Sequence, residues 1–362
     1  MQANDPTPES HYVKAWGFMM SWIGRITAVV GLCATITGGV TWFVTHHRQQ
    51  KERAEHLALA KTQTSQQDYQ GAVGSYADML KSDSMDRDAL DGQLDTTMLW
   101  AENFSVLVPE GQSATQTAGH ALDEMMSILE SGLTRSQGTR AADVQAHLGW
   151  AHWLNQHIAE REFGPAAEQN LRAALAADPT NVYANAMLGN WMLQNGGNFS
   201  EAVQHFDTAV ATGRERAFVR RLQVGGLTGF TGPGVRAELM KVANAMRRDS
   251  EPLQPNQRRH IFDVCCNVTL TEHAELVESL SALSAQDAWQ TYLWLDNSDA
   301  GGSGDALQGL THDFIQASLV EISGQRAQAL RQYETLQQKL RGQPGAALAD
   351  AVNAAIRRVS HS

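Results

Sequence analysis

The sequence predicts an all-helical fold, with one N-terminal transmembrane helix followed by short amphipathic helices stacked in pairs. Three observations predict it. From residue 50 to 360, apolar residues recur at three- and four-residue spacing, which places them on one face of a helix, and no run alternates in the way a half-buried strand requires. The apolar stripes are short and stop at Gly or Pro, so the helices are joined by short turns. Ile26 to Val44 is a stretch of nineteen residues without a charge, close to the ~20 a helix needs to cross about 30 Å of hydrocarbon.

Composition narrows the function classes. With 362 residues, 43% hydrophobic and 19% charged, the chain has enough apolar surface to fold. Its 28 basic and 39 acidic residues give a net charge of −11. That argues against a general nucleic-acid binder, which needs a basic footprint. Three cysteines do not make a disulfide framework.

The N-terminal region divides into a polar tail (1–20) and a span (21–45). Trp16 and Trp22 before the apolar run and Trp42 at its end suit the two interfaces, and Arg25 can snorkel to the near headgroups. A cleaved signal peptide is disfavoured. The run follows an acidic tail (Asp5, Glu9) and ends in TWFVTHHRQQ, which offers no small-residue cleavage site. A buried core helix is the other alternative. Lys14 and Arg25 precede the run, whereas Arg48, Lys51, Arg53 and Lys61 follow it. The positive-inside rule therefore leans toward a single-pass protein of the inner, cytoplasmic membrane with its C-terminal domain in the cytoplasm. The adjacent Cys265 and Cys266 suit a reducing compartment.

Paired helices are expected throughout 46–344, with a terminal helix over 345–362. The stretch 53–86 reads as a helix over AEHLALAKTQ and a second with Ala72, Tyr76 and Met79 on one face. Residues 88–136 read as a hairpin with a long loop, VLVPEGQSATQ. In 143–213, a stripe of Val144, Leu148, Ala151 and Leu154 is followed by one ending at Asp178-Pro179. A third ends at Gly196, and a fourth opens at Ser200, a candidate cap, and ends at Gly213. Residues 217–297 read as two or three less regular hairpins. The stretch 305–341 contains GQRAQALRQYETLQQ, with Ala329, Tyr333 and Leu336 in register.

A repeat underlies the clearest part. Ala167, Leu171 and Ala174 align with Ala202, Phe206 and Ala209 at a spacing of 35, and Leu148-Gly149 align with Leu188-Gly189 at 40, the difference being an insertion around EREFG. These residues resemble the tetratricopeptide repeat, as found in membrane-anchored bacterial proteins, whose pattern is leucine-glycine and an aromatic in a first helix, then small, aromatic and small residues in a second, then proline, here Pro179. The resemblance covers 143–213 well and 53–86 and 305–341 more weakly; the family's first-helix tryptophan is missing from the matching places. It implies a right-handed α-solenoid in which each hairpin borrows its buried surface from its neighbours, with first helices lining a concave face. By the family's layout, Asp143, Trp150, Trp153, Tyr183, Asn190, Gln194 and Arg221 fall on that face. Aromatic and amide groups together suit peptide binding. The alternative reading, which burial of large rings favours, is that Trp150 and Trp153 complete the inter-helix core. Some family members clamp a terminal carboxylate with lysines and asparagines; here only Asn190 and Arg221 stand in such places.

Catalytic and metal signatures are weak. His147, His152 and His157 step around a helix at five-residue spacing and share no face. Cys265 and Cys266 lack a second ligand pair. GGLTGFTGPG (225–234) lacks the lysine and strand of a phosphate loop and reads as an inter-helix turn. The expected function is a membrane-anchored scaffold that binds a protein or peptide partner, without cofactor, metal or nucleic acid. The alternatives are a self-associating component of a membrane complex and, third, an enzyme with a site in 217–320.

Overall fold

A computed structural model describes residues 43, 45–160, 165–268, 270–296, 306–341 and 345–361. Among these residues the chain is helical with no strands. No helix among them is long and apolar enough to cross a membrane; the span expected at 21–45 lies, apart from Phe43 and Thr45, outside the described residues.

The chain divides into two compact units, residues 1–100 and 101–362. The first contains α1 (45–65), α2 (Tyr69–Ser82) and most of α3 (Arg87–Glu102). Asp68 caps α2 by accepting from the Gly71 amide. Its apolar face meets α1 and α3 in a core of Ala60, Tyr76, Met79 and Ala89, with Leu57 and Leu80 at the edge. Arg53 on α1 bridges Asp86 and Asp88 at the start of α3, and Asp86 also accepts from the Ala89 amide. The guanidinium holds the Asp86 carboxyl below the usual range.

The second unit runs from α4 (Ala114–Arg135) to α16 (Ala346–His361). Its most regular part is α5 (Gly138–Ile158), α6 (Ala166–Ala177), α7 (Val182–Gln194) and α8 (Phe199–Ala211). α5 pairs with α6 and α7 with α8; α5 also packs on α7, and α7 on α9 (Arg216–Gly229). The spaced small residues explain the pairing. A Cβ on Gly149 would stand 2.9 Å from the Ala167 carbonyl oxygen and 2.9 Å from Leu171 Cγ. One on Gly189 would stand 3.0 Å from both the Ala202 carbonyl oxygen and Phe206 Cε2. The same two helix positions thus touch in both hairpins, and Leu171 and Phe206 fill the gap completely buried. The helices stop where the breakers stand, with Gly196 and Gly213 at positive φ.

Two local expectations are corrected. The cap of α8 is Asn198, not Ser200, because the Asn198 carboxamide reaches the amides of both Ser200 and Glu201. The stretch 225–234 is only half a turn. Gly225, Gly226 and Gly229 belong to α9, and Gly226 faces α7, where a Cβ would stand 2.8 Å from Asn190 Oδ1.

Beyond α9 the order loosens. α10 (Val235–Arg248) packs more against α12 (His273–Ser281) and α13 (Ala285–Leu295) than against α9 or α11 (Pro255–Cys265). Next, α14 (Ala306–Ile322) and α15 (Arg326–Leu340) form a hairpin. On it α16 lays Leu348, Val352, Ala355 and Val359, with Arg358 held by both oxygens of Glu321.

Candidate interaction surface

The candidate surface is the wall that α5, α7 and α9 form together. Helical spacing puts Asp143, His147, Trp150, Trp153 and His157 on one stripe of α5. Trp150 and Trp153 stack at 4.3 Å between ring centroids, and Trp153 and His157 at 4.4 Å. A second row crosses the helices: His147 meets Tyr183 of α7 at 4.5 Å, Tyr183 meets Phe218 of α9 at 5.8 Å, and the Arg221 guanidinium lies 5.5 Å from the Phe218 ring centroid. Burial pushes the Tyr183 phenol up, and the nearby Glu102, Glu215 and Asp143 carboxylates add to the shift.

The sequence-predicted residues divide by what they touch. Asp143 Oδ1 accepts from Asn181 Nδ2 at 2.6 Å, while Asn181 Oδ1 caps α7 by accepting from the Ala184 amide; Asp143 therefore fixes the cap. Asn190, 4% exposed, packs against Gly226, and Gln194 stands against Gly229 on the exposed edge. Both fit α7 against α9. Trp150, also 4% exposed, donates from Nε1 to the Ala101 carbonyl at 3.1 Å. Trp153 is half-buried, and its buried Nε1 has no acceptor among the described residues. Arg221 is exposed and donates to Asn103 Oδ1 at 2.9 Å and to the Glu102 carbonyl at 2.8 Å.

Reading the sequence missed His147 and Phe218 as members of this surface, and Glu102 and Asn103 as residues held against it. His147 is fully buried, with Nδ1 2.7 Å from the Asp143 carbonyl and Nε2 3.2 Å from Glu102 Oε1. A carbonyl only accepts, so Nδ1 carries a proton. Spacing does mark His147 and Phe218: one lies four residues after Asp143, the other three before Arg221. No local pattern marks Glu102 and Asn103, which are some 45 to 119 residues from their partners.

Among the described residues no group of three His, Cys, Asp or Glu side chains is placed to hold a metal ion. Cys265 and Cys266 are both buried; burial raises the Cys265 thiol to about 12 and Cys266 further, which leaves little thiolate for chemistry. Two clefts lie elsewhere. One of about 260 Å³ runs along α14 and α15 by Asp313 and Lys339, and one of about 310 Å³ lies by Arg53 and Asp86 in the first unit. In both, these charges pair with each other. No family model matches the chain, and no curated protein matches it.

Proposed function

We propose that this chain is a membrane-anchored scaffold of tetratricopeptide-like hairpins that holds a protein partner against the wall of α5, α7 and α9. The observation that carries the reading is the row of aromatic contacts along α5, α7 and α9, beside which Trp153, Tyr183, Gln194 and Arg221 are partly or fully exposed. Aromatic rings supply large contact area, and amides supply directional bonds at little conformational cost. The matching spacing of Ala167, Leu171 and Ala174 with Ala202, Phe206 and Ala209 supports the repeat, and the uncharged run 26–44 supports the anchor.

Capture of bound proteins by the full chain in detergent tests the reading. Trp153→Ala and Gln194→Ala are expected to lower the captured partner at least fivefold with an unchanged unfolding midpoint. Gln204→Ala and Thr208→Ala, on α8, are expected to leave it unchanged. Equal capture by all four variants would overturn the proposal.

A further inference from the structure

We propose that the wall is a receptor for the carboxyl end of a helix, and that the chain keeps its own segment Ala101–Asn103 seated there until a partner displaces it. This rests on the scaffold reading above. Three wall side chains hold three consecutive residues. Trp150 Nε1 donates to the Ala101 carbonyl, His147 Nε2 meets the Glu102 carboxyl, and Arg221 donates to both the Glu102 carbonyl and the Asn103 side chain.

The chemistry of the seated groups defines what the wall recognises. The last carbonyls of a helix have no intrahelical donor, and Ala101 and Glu102 stand where α3 ends. The wall supplies the two missing donors, an indole N–H and a guanidinium, and adds one contact each for a carboxyl and a carboxamide. A competing partner therefore presents a helix end with free carbonyls and an acidic or amide side chain beside them.

The clasp is also built to open. Arg221 is exposed, and both its acceptors are uncharged oxygens, so its bonds have the modest net worth of ordinary hydrogen bonds in water. The chain then runs through a loop whose Leu107 is 86% and Val108 43% exposed. α4 starts on its own cap, Ser113, which accepts from the Gln116 amide. Ala101 is 1% exposed, so lifting 101–103 breaks the Trp150 and His147 contacts together with the Arg221 bonds, while α4 stays folded on its own cap.

Two measurements on the full chain in detergent test this. Amide hydrogen exchange over 101–106 is expected to quicken at least tenfold in Arg221→Ala and to stay unchanged in the neighbouring exposed Arg214→Ala; equal exchange in both overturns the clasp. A photo-cross-linking residue at position 183 is expected to give severalfold more partner adduct when Glu102→Ala and Asn103→Ala are combined, since these weaken the occupant and leave the wall intact. Adduct equal to that of the parent chain overturns the gating. No adduct from either protein overturns the scaffold reading and the gating with it, while the exchange result still decides the clasp.

Discussion

The helices α5 to α8 and the helices α9 to α13 belong to one compact unit, yet they are held together differently. In the first group the contacts are between backbones. Gly149 and Gly189 let the paired helices close until a carbonyl of the partner touches the glycine, and Leu171 and Phe206 seal the seam. In the second group arginines tie a helix to a loop or to a helix that is not its sequence neighbour. Arg216 and Arg220 converge on Glu251, Arg236 reaches Glu275, and Arg247 reaches Asp287. Glycines facing a small and a large residue close the two pairs α5–α6 and α7–α8. Ion pairs across longer separations let α10 settle among α12 and α13.

The largest test of that contrast is Phe206→Ala. Phe206 is fully buried in the close-packed seam, and its loss is expected to cost about 3–5 kcal/mol in denaturant unfolding. A cost near zero would mean the seam is not close-packed. In the ion-tied group, Glu251→Ala leaves Arg220, whose side chain is 8% exposed, without its carboxylate. The expected cost is about 2–3 kcal/mol. Asp249→Ala removes a half-exposed partner of Arg216 and is expected to cost at most about 1 kcal/mol. Equal losses would show that burial does not set the strength of these ties.

Adjacent glycines in α9 provide a finer test. A Cβ on Gly226 would press on Asn190, whereas one on Gly225 meets nothing. Gly226→Ala is expected to cost about 1–2 kcal/mol, and Gly225→Ala to stabilise by up to about 1 kcal/mol through helix propensity. The same sign for both would contradict the α7–α9 approach.

Acid titration is expected to act in two stages. Burial holds His152, His205 and His273 below 6.5. The unfolded chain then binds protons that the folded chain resists, and stability falls as pH drops below about 6.5. For Glu321, burial alone would raise the carboxyl, but the bonds from Arg358 and Tyr333 outweigh it and leave it below 4.5. Its contribution, like that of Asp86, is present above the unfolded value and is lost as pH falls through the lowered folded value. Stability that stays flat between pH 7 and 5 would contradict the histidine assignment.

Legibility in the sequence follows the same division. The hairpin seams were readable because the second-helix residues keep one step, Ala167, Leu171 and Ala174 against Ala202, Phe206 and Ala209, and a Leu-Gly pair marks each first helix. The glycines of 225–229 misled because a Gly-rich run looks like a turn until a neighbouring helix, here carrying Asn190, is known to press on it. On the wall, Tyr183 and Arg221 were visible from repeat position. The roles of Asn190 and Asp143 were not, since packing against Gly226 and fixing the Asn181 cap depend on three-dimensional neighbours. The occupant at 101–103 left no trace, because a tie between Arg221 and Glu102 has no period.

The most direct measurement places a photo-cross-linking residue at position 183 on the wall and, in a second protein, at position 208 on the exposed side of α8, and compares partner adducts from the full chain. The account predicts a discrete adduct from 183 at least tenfold stronger than from 208. Equal yields, or a stronger adduct from 208, would contradict it.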